Sequence, residues 1–265
     1  MNAALLRDKK QVAQSFSRAA ATYDSVATLQ REVADRLIGK LPAGDIGWYM
    51  DLGCGTGYAA PALNDRYPGA FGLSLDLAEG MLKYARDRHG AAGFTPLCGD
   101  AEALPLKSGA LDLVFSSLAL QWCEQPKLLF SELSRVLRPG GHLVVATLGP
   151  STLGELKAAW AAVDEDRHVN DFLELDALQQ PAQAAGLRLA EAECQHRVLE
   201  YATLKPLMRE LKALGAHNVN HRERRGLAGR TRLNRLSEAY ETMRGSSGML
   251  PATYEIYYLK WVKTL

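Results

Sequence analysis

The residues best placed for chemistry are three carboxylates, each set among small residues. The first stands in Asp51-Leu-Gly53-Cys-Gly55-Thr-Gly57. Glycines this close let the backbone turn through positive φ and come near a ligand. A pyrophosphate-binding fingerprint would need a glycine at position 58, where Tyr58 stands. A compact glycine turn after an acid instead suits a smaller ligand whose amino-acid end lies over the turn. Asp76 follows, 23 residues after Gly53, and is placed to take both hydroxyls of a ribose. A lone Asp there would instead read as the N-cap of the helix after it; following the glycine turn, the ribose is the favoured reading. Asp100, in Cys98-Gly99-Asp100-Ala101-Glu102, can accept from an adenine amino group while the Ala101 N–H reaches a ring nitrogen. Its alternative is a loop cap. Each acid is weak alone; together they mark three successive strand ends, at the edge where open α/β sheets bind ligands.

Several elements must position these groups. WYMDLG reads as a buried strand, YAAPALNDRY as a helix, FGLSLD as a second strand and LAEGMLKYARDRHG as a helix ending at Gly90. FTPLCGD, LDLVFSSLAL and GHLVVATL read as three more strands, with PKLLFSELSRVLRPGG a helix stopped by Pro139-Gly140-Gly141. This alternation predicts a mostly parallel sheet covered on both faces. Residues 8–40 carry helical spacing, broken near Tyr23-Asp24-Ser25. Beyond residue 150, TLGELKAAWAAVDED and DALQQPAQAAG read as helices, and LRLAEAECQHRVLEY as a long strand. Residues 203–244 read as helices and loops, and TYEIYYLKWVK as a last strand returning to the sheet.

Composition excludes little. Hydrophobic residues make up 47% and charged residues 23%, as in ordinary globular chains. No apolar run reaches membrane-span length and no signal-like start is seen, so a cytoplasmic location is expected. Cys54, Cys98, Cys123 and Cys194 are scattered, and no metal site is expected. The net charge is +1, yet residues 205–244 hold ten Lys/Arg against four Asp/Glu. That segment is a solvated face or a surface for an acidic partner.

The glycine turn, Asp76, Asp100 and Leu137-Arg-Pro-Gly-Gly141 resemble the class I S-adenosylmethionine-dependent methyltransferases over about residues 45–150. A narrower resemblance covers nearly the whole chain. It rests on Phe16-Ser-Arg-Ala-Ala-Ala-Thr-Tyr23-Asp24, Leu29-Gln30, Ser116-Ser-Leu-Ala-Leu-Gln121-Trp122, His168-Val-Asn170-Asp-Phe172, Leu214-Gly-Ala-His217-Asn-Val-Asn220, Gly229-Arg230 and Leu250-Pro-Ala-Thr-Tyr-Glu-Ile256. These stretches are similar to the malonyl-(acyl carrier protein) O-methyltransferases of biotin synthesis. The resemblance implies a Rossmann-like α/β fold: a doubly wound, seven-stranded, mostly parallel sheet with a helical lid after the fifth strand. It implies one domain over 1–265, with N-terminal helices (1–44), a cofactor-binding core (45–150), a lid and partner region (151–250) and a final strand (251–265). S-adenosylmethionine is the implied cofactor and S-adenosylhomocysteine its product. The implied cofactor set is Asp51, Gly53, Gly55, Gly57, Asp76, Leu77, Asp100, Ala101 and Gln30.

The implied reaction methylates the free carboxylate of a malonyl thioester on an acyl carrier protein, or on coenzyme A. That carboxylate is ionised at neutral pH and needs no general base. A charged nucleophile meeting a sulfonium disperses charge, so a dry, aligned, lidded site is expected. Tyr23 is the expected lid residue at the reacting centre. Gln121, Trp122, Arg167, His168, Asn170 and His217 are candidate substrate contacts, and Arg222, Arg224 and Arg225 candidate carrier contacts. The rival readings are a small carboxylic acid or quinone precursor as substrate, a nucleic-acid-binding protein using the basic segment, and a non-catalytic cofactor binder. The basic segment lacks the aromatic ladder that single-stranded RNA would call for.

Overall fold

The computed structural model describes residues 8–90, 94–216 and 227–264, with side chains from residue 230 onward in the last stretch. A seven-stranded sheet in the order β3-β2-β1-β4-β5-β7-β6 forms the centre. Its strands are β1 (Trp48–Leu52), β2 (Phe71–Asp76), β3 (Pro96–Cys98), β4 (Leu111–Ser117), β5 (Leu137–Leu148), β6 (Leu187–Tyr201) and β7 (Leu250–Lys263). The first five pair in parallel, and β7 runs antiparallel to both its neighbours. This is the Rossmann-like α/β methyltransferase fold.

The period-2 rule sets the two cores. Leu113, Phe115, Val144 and Ala146 face one way into a cluster with α2 (Thr28–Ile38), α6 (Gly154–Ala161), α8 (Leu204–Ala213) and α9 (Leu227–Glu241). Val114, Leu143 and Val145 face the other way, against α5 (Pro126–Val136) and α7 (Leu175–Ala184). Both faces of the central strands are therefore buried, which explains their continuous apolar runs. Two more helices flank the strand ends: α3 (Ala60–Arg66), and α4 (Glu79–His89), on which α1 (Lys9–Val26) packs.

Several local readings need correction. The first helix runs through Tyr23 to Val26, and the break falls at Ala27. The Ser25 hydroxyl donates back to the Thr22 carbonyl at 2.6 Å and leaves the helix intact. In LDLVFSSLAL only the first seven residues are strand. Leu118 adopts φ +53, and a 3-10 turn, Leu120–Trp122, follows. Helix α5 stops at Val136, before Pro139, because β5 begins at Leu137. Helix α7 is not over the cavity: it lies against α5, with Leu178 and Ala182 in the second core cluster. Among the described residues no helix is long and apolar enough to cross a membrane.

Candidate active site

Three cavities meet at the carboxyl ends of β1, β2 and β4, and Tyr23 lines all of them. The first, of about 120 Å³, is walled by Gly53, Gly55, Asp76, Leu77, Asp100 and Ala101. The second, of about 60 Å³, adds Asp51, Gln30 and Phe115. The third is much larger, about 1020 Å³, and lies under α1, α6, α8 and α9.

The glycine turn is shaped by close approach. Gly53 has φ +73, and a Cβ there would sit 2.2 Å from the Ala119 Cβ. Its N–H donates to the Leu75 carbonyl at 2.7 Å, tying the turn to β2. A Cβ on Gly55 would meet nothing within 4 Å, so that glycine faces open space. Gly57 turns away from the cavities, towards His89 and Phe94.

Asp76 is not the N-cap of α4, whose cap position is Ala78 with no side-chain cap bond; its carboxylate ties two turns together. One oxygen accepts from Gly55 N at 2.9 Å and the other from Ala78 N at 2.7 Å, beside the start of α4. It therefore braces the glycine turn and still faces the cavity. Burial pushes its pKa up, opposed by the bonds from Ala78, Gly55 and Leu77. Asp51 is 3% exposed, and its Oδ2 has no hydrogen-bond partner. Burial, then the neighbouring Asp76, pushes its pKa to about 7. The Gln30 Oε1 is buried without a hydrogen-bond partner as well.

Asp100 is where the structure qualifies the sequence reading. Lys9, at the start of α1, donates to Asp100 Oδ2 at 2.6 Å and also pairs with Glu102. Glu102 is held from behind by Glu124 N (2.9 Å) and Gln125 N (2.6 Å). The first helix is thus pinned across the cofactor-side cavity by a lysine the sequence reading missed. A lysine 91 positions before its partner carries no local sign of it. At the other end of α1, Asp24 accepts from the Thr56 hydroxyl at 2.8 Å and pairs with Arg88. These contacts hold Tyr23 over the glycine turn. Burial, then Asp76 and Asp24, raises the Tyr23 pKa, so it stays protonated at neutral pH.

Of the expected substrate residues, Gln121, Trp122, His168 and Asn170 line the large cavity. Gln121 donates to the Leu118 carbonyl at 2.7 Å, bracing that left-handed residue, and accepts from the Thr147 hydroxyl at 3.2 Å. Trp122 meets Phe16 edge-on, 5.0 Å between centroids. Arg167 is a correction: it lies outside the cavity lining and pairs with Asp171 at 2.9 Å. His217, Arg222, Arg224 and Arg225 lie outside the described residues.

The missed member here is Arg232. Its Nη2 lies 2.9 Å from Asp166 and 3.2 Å from His168 Nε2, and its Nε donates to Asp164 at 2.8 Å. His168 stacks on Trp160, 3.6 Å between centroids. Burial works to raise the Asp164 pKa, but the bonds from His168 and Arg232 override it and hold it at about 2. His168 has two acids within ligand distance, Asp164 and Asp166. Arg232 already supplies the cation for that pair. The structure also gathers Cys194, His196 and Glu255, where Glu255 accepts from Ser151 N, Tyr257 and Cys194.

The chemistry available is thus divided. The smaller cavities offer carboxylates and an open glycine turn to a small cationic ligand. The large cavity offers mostly apolar walls with a few polar groups.

Comparison with known proteins gives the family. A family profile described as a methyltransferase domain matches residues 50–145. A malonyl-(acyl carrier protein) O-methyltransferase of Laribacter hongkongensis is 44% identical over 97% of this chain and 90% of its own length. A biotin biosynthesis bifunctional protein BioHC of Cellvibrio japonicus is 50% identical over 95% of this chain. The chain spans about half the length of that relative. Among solved structures, the YcgJ protein of Bacillus subtilis superposes with a TM-score of 0.65 at 15% identity, over 88% of this chain and 99% of its own. A phosphoethanolamine N-methyltransferase of Haemonchus contortus, solved with S-adenosylhomocysteine, gives 0.56 at 16% identity over 94% of this chain and 58% of its own.

Proposed function

The chain belongs to the family of malonyl-(acyl carrier protein) O-methyltransferases, and from that premise we propose that it methylates the free carboxylate of malonyl-acyl carrier protein, using S-adenosylmethionine, in the cytoplasm. The observation that carries the reading is the meeting of two unlike cavities at Tyr23, Leu118 and Trp122. A methyl donor and an acyl thioester can approach there from opposite sides.

The donor set suits the cofactor. Asp51 Oδ2 and Gln30 Oε1 are buried polar atoms without partners beside the glycine turn, and a cationic amino-acid end would satisfy them. Asp76 has accepting capacity left for a ribose. Asp100 shares its carboxylate with Lys9, which also holds Glu102. When bound, S-adenosylmethionine supplies a methyl group already activated on a sulfonium.

The remaining work falls to the chain's own residues. Tyr23 stays protonated, so it can donate to or orient a carboxylate and cannot act as a base. Arg232 is neutralised by Asp164 and Asp166. It can orient a negative group without the full charge that would hold the ground state back. Helix α1 is held against the end of α8: Ser15 donates to the Gly215 carbonyl at 3.2 Å and Thr22 to the Ala213 carbonyl at 3.1 Å. The test is mass spectrometry of malonyl carrier protein after incubation with the enzyme and S-adenosylmethionine. The expected product has gained one methyl group; an unmodified carrier overturns the reading.

A further inference from the structure

The large cavity has one rim that the reaction does not use. Lys205, Arg209 and Lys212 of α8 all line it. Spacings of four and three residues put them on one face of the helix. Leu204 and Leu207 lie buried in the core on the other side, which fixes the helix rotation and keeps the three cations outward. All three are exposed, and among the described residues no acid pairs with any of them.

Several other cations of the molecule are paired. Arg36, Lys40, Arg88, Arg135, Arg197, Arg232 and Arg244 each have a carboxylate partner. Glu210, the acid within this stretch of α8, is engaged by the Tyr201 hydroxyl at 2.9 Å. Like charges at i,i+4 destabilise a helix, and among the described residues no ion pair relieves these three. The same cavity has apolar walls, among them Met208, Leu156, Trp160, Phe16 and Leu118, and Tyr23 lines it too. Exposed cations, apolar walls and Tyr23 thus share one cavity.

We propose that Lys205, Arg209 and Lys212 form a phosphate site that grips the phosphodiester of a pantetheine-type arm while the arm carries its acyl group through the cavity to Tyr23. The proposal rests on the malonyl thioester reading and adds the group that is recognised. A phosphate concentrates its charge on a few oxygens and suits three cations on one helix face. The same phosphate is present on a carrier protein's arm and on coenzyme A, whereas plain pantetheine lacks it.

The test compares malonyl-pantetheine with malonyl-4′-phosphopantetheine as methyl acceptors for the full chain. A variant with Lys205→Gln, Arg209→Gln and Lys212→Gln is measured beside it. The readout is the ratio of the two kcat/KM values on one preparation, which cancels any general loss. In the unchanged protein the phosphorylated substrate should be better by about tenfold or more, and in the variant the ratio should fall to near one. A ratio near one in the unchanged protein, or one that survives in the variant, overturns the proposal. So does a salt-sensitive KM for malonyl carrier protein without any preference between the small substrates, since the face would then read the carrier's acidic surface. Calorimetric titration with unacylated 4′-phosphopantetheine separates this from the parent reading. Binding that the variant loses, with no methyl transfer to any malonyl thioester, sinks the reaction and keeps the phosphate site; methyl transfer with no such binding does the reverse.

Discussion

The small cavities and the large one share Tyr23, Leu118 and Trp122 or Gln30 as common walls, yet they are made differently. Around the glycine turn, the floor comes from the ends of β1, β2 and β4 and the turns after them, and α1 and α2 close over it. Backbone N–H groups do much of the holding, as at Gly53, Gly55 and Ala78. The large cavity borrows side chains from α1, α6, α8, α9 and the loop around His168. Its polar groups are held by one another, as Arg232 is by Asp164 and Asp166. A site fixed by sheet and backbone is stiff and specified locally. A site fixed by side chains from distant segments is adjustable and specified only by the whole fold.

The sharpest way to break the first region is Gly53→Ala. The new Cβ collides with Ala119 and sits at positive φ. Overpacking and backbone strain together should cost on the order of 2–4 kcal/mol, and calorimetry should find cofactor affinity essentially lost. Adding Ala119→Gly should return part of it, because only the collision is relieved. A single variant that binds normally would show the turn to be soft.

Asp76→Ala comes next. Losing hydrogen bonds to a charged acceptor costs about 1.5–3 kcal/mol, on the order of ten- to a hundredfold in cofactor affinity. The same substitution releases Gly55 N and Ala78 N, so a lower melting temperature should accompany it. Lower stability with unchanged affinity would leave Asp76 a brace alone.

Tyr23→Phe probes the shared wall. One hydrogen bond's worth, about 0.5–1.5 kcal/mol, should leave turnover roughly three- to tenfold down. Cofactor affinity should hardly move. A loss shared equally by both would assign Tyr23 to the cofactor side.

The smallest effect concerns pH. Asp51 is raised to about 7 in the folded protein, from an ordinary value of 3.8. The folded state therefore holds a proton that the unfolded chain gives up between these values. This group's contribution is full below its ordinary pKa and is lost as pH rises towards 7. The melting temperature of the unliganded protein should show that slope, and Asp51→Asn should flatten it. A cationic ligand beside Asp51 favours the ionised form, so cofactor binding near pH 7 should release up to one proton. Calorimetry in buffers of different ionisation enthalpy measures that; no buffer dependence would put the cation elsewhere.

The same contrast decides what the sequence discloses. Asp51, Asp76 and Asp100 are legible because each follows an apolar strand pattern, and parallel strands bring their carboxyl ends to one edge. Leu118 shows nothing in advance: its left-handed backbone is held by Gln121 and by a 2.8 Å bond to the Ala146 carbonyl, contacts that exist only after β4 and β5 pair. Arg232 lies 68 residues from Asp164, and a basic run cannot say which of its members will meet an acid. Arg167 and His168 are adjacent in sequence, yet only His168 reaches the cavity, because stacking on Trp160 turns it inward.

Strand β7 sets an order of events during synthesis. It follows β6 in sequence, and it sits between β5 and β6. Until residues 250–263 leave the ribosome, β6 has no strand to pair with and β5 presents a bare edge of apolar residues. The cofactor side can settle early from neighbouring segments, while the substrate side must wait for a pairing of long sequence separation, the slow kind. In that interval the nascent chain is a half-closed sheet with an adhesive edge. Its yield in the cell should therefore depend on how quickly β7 arrives.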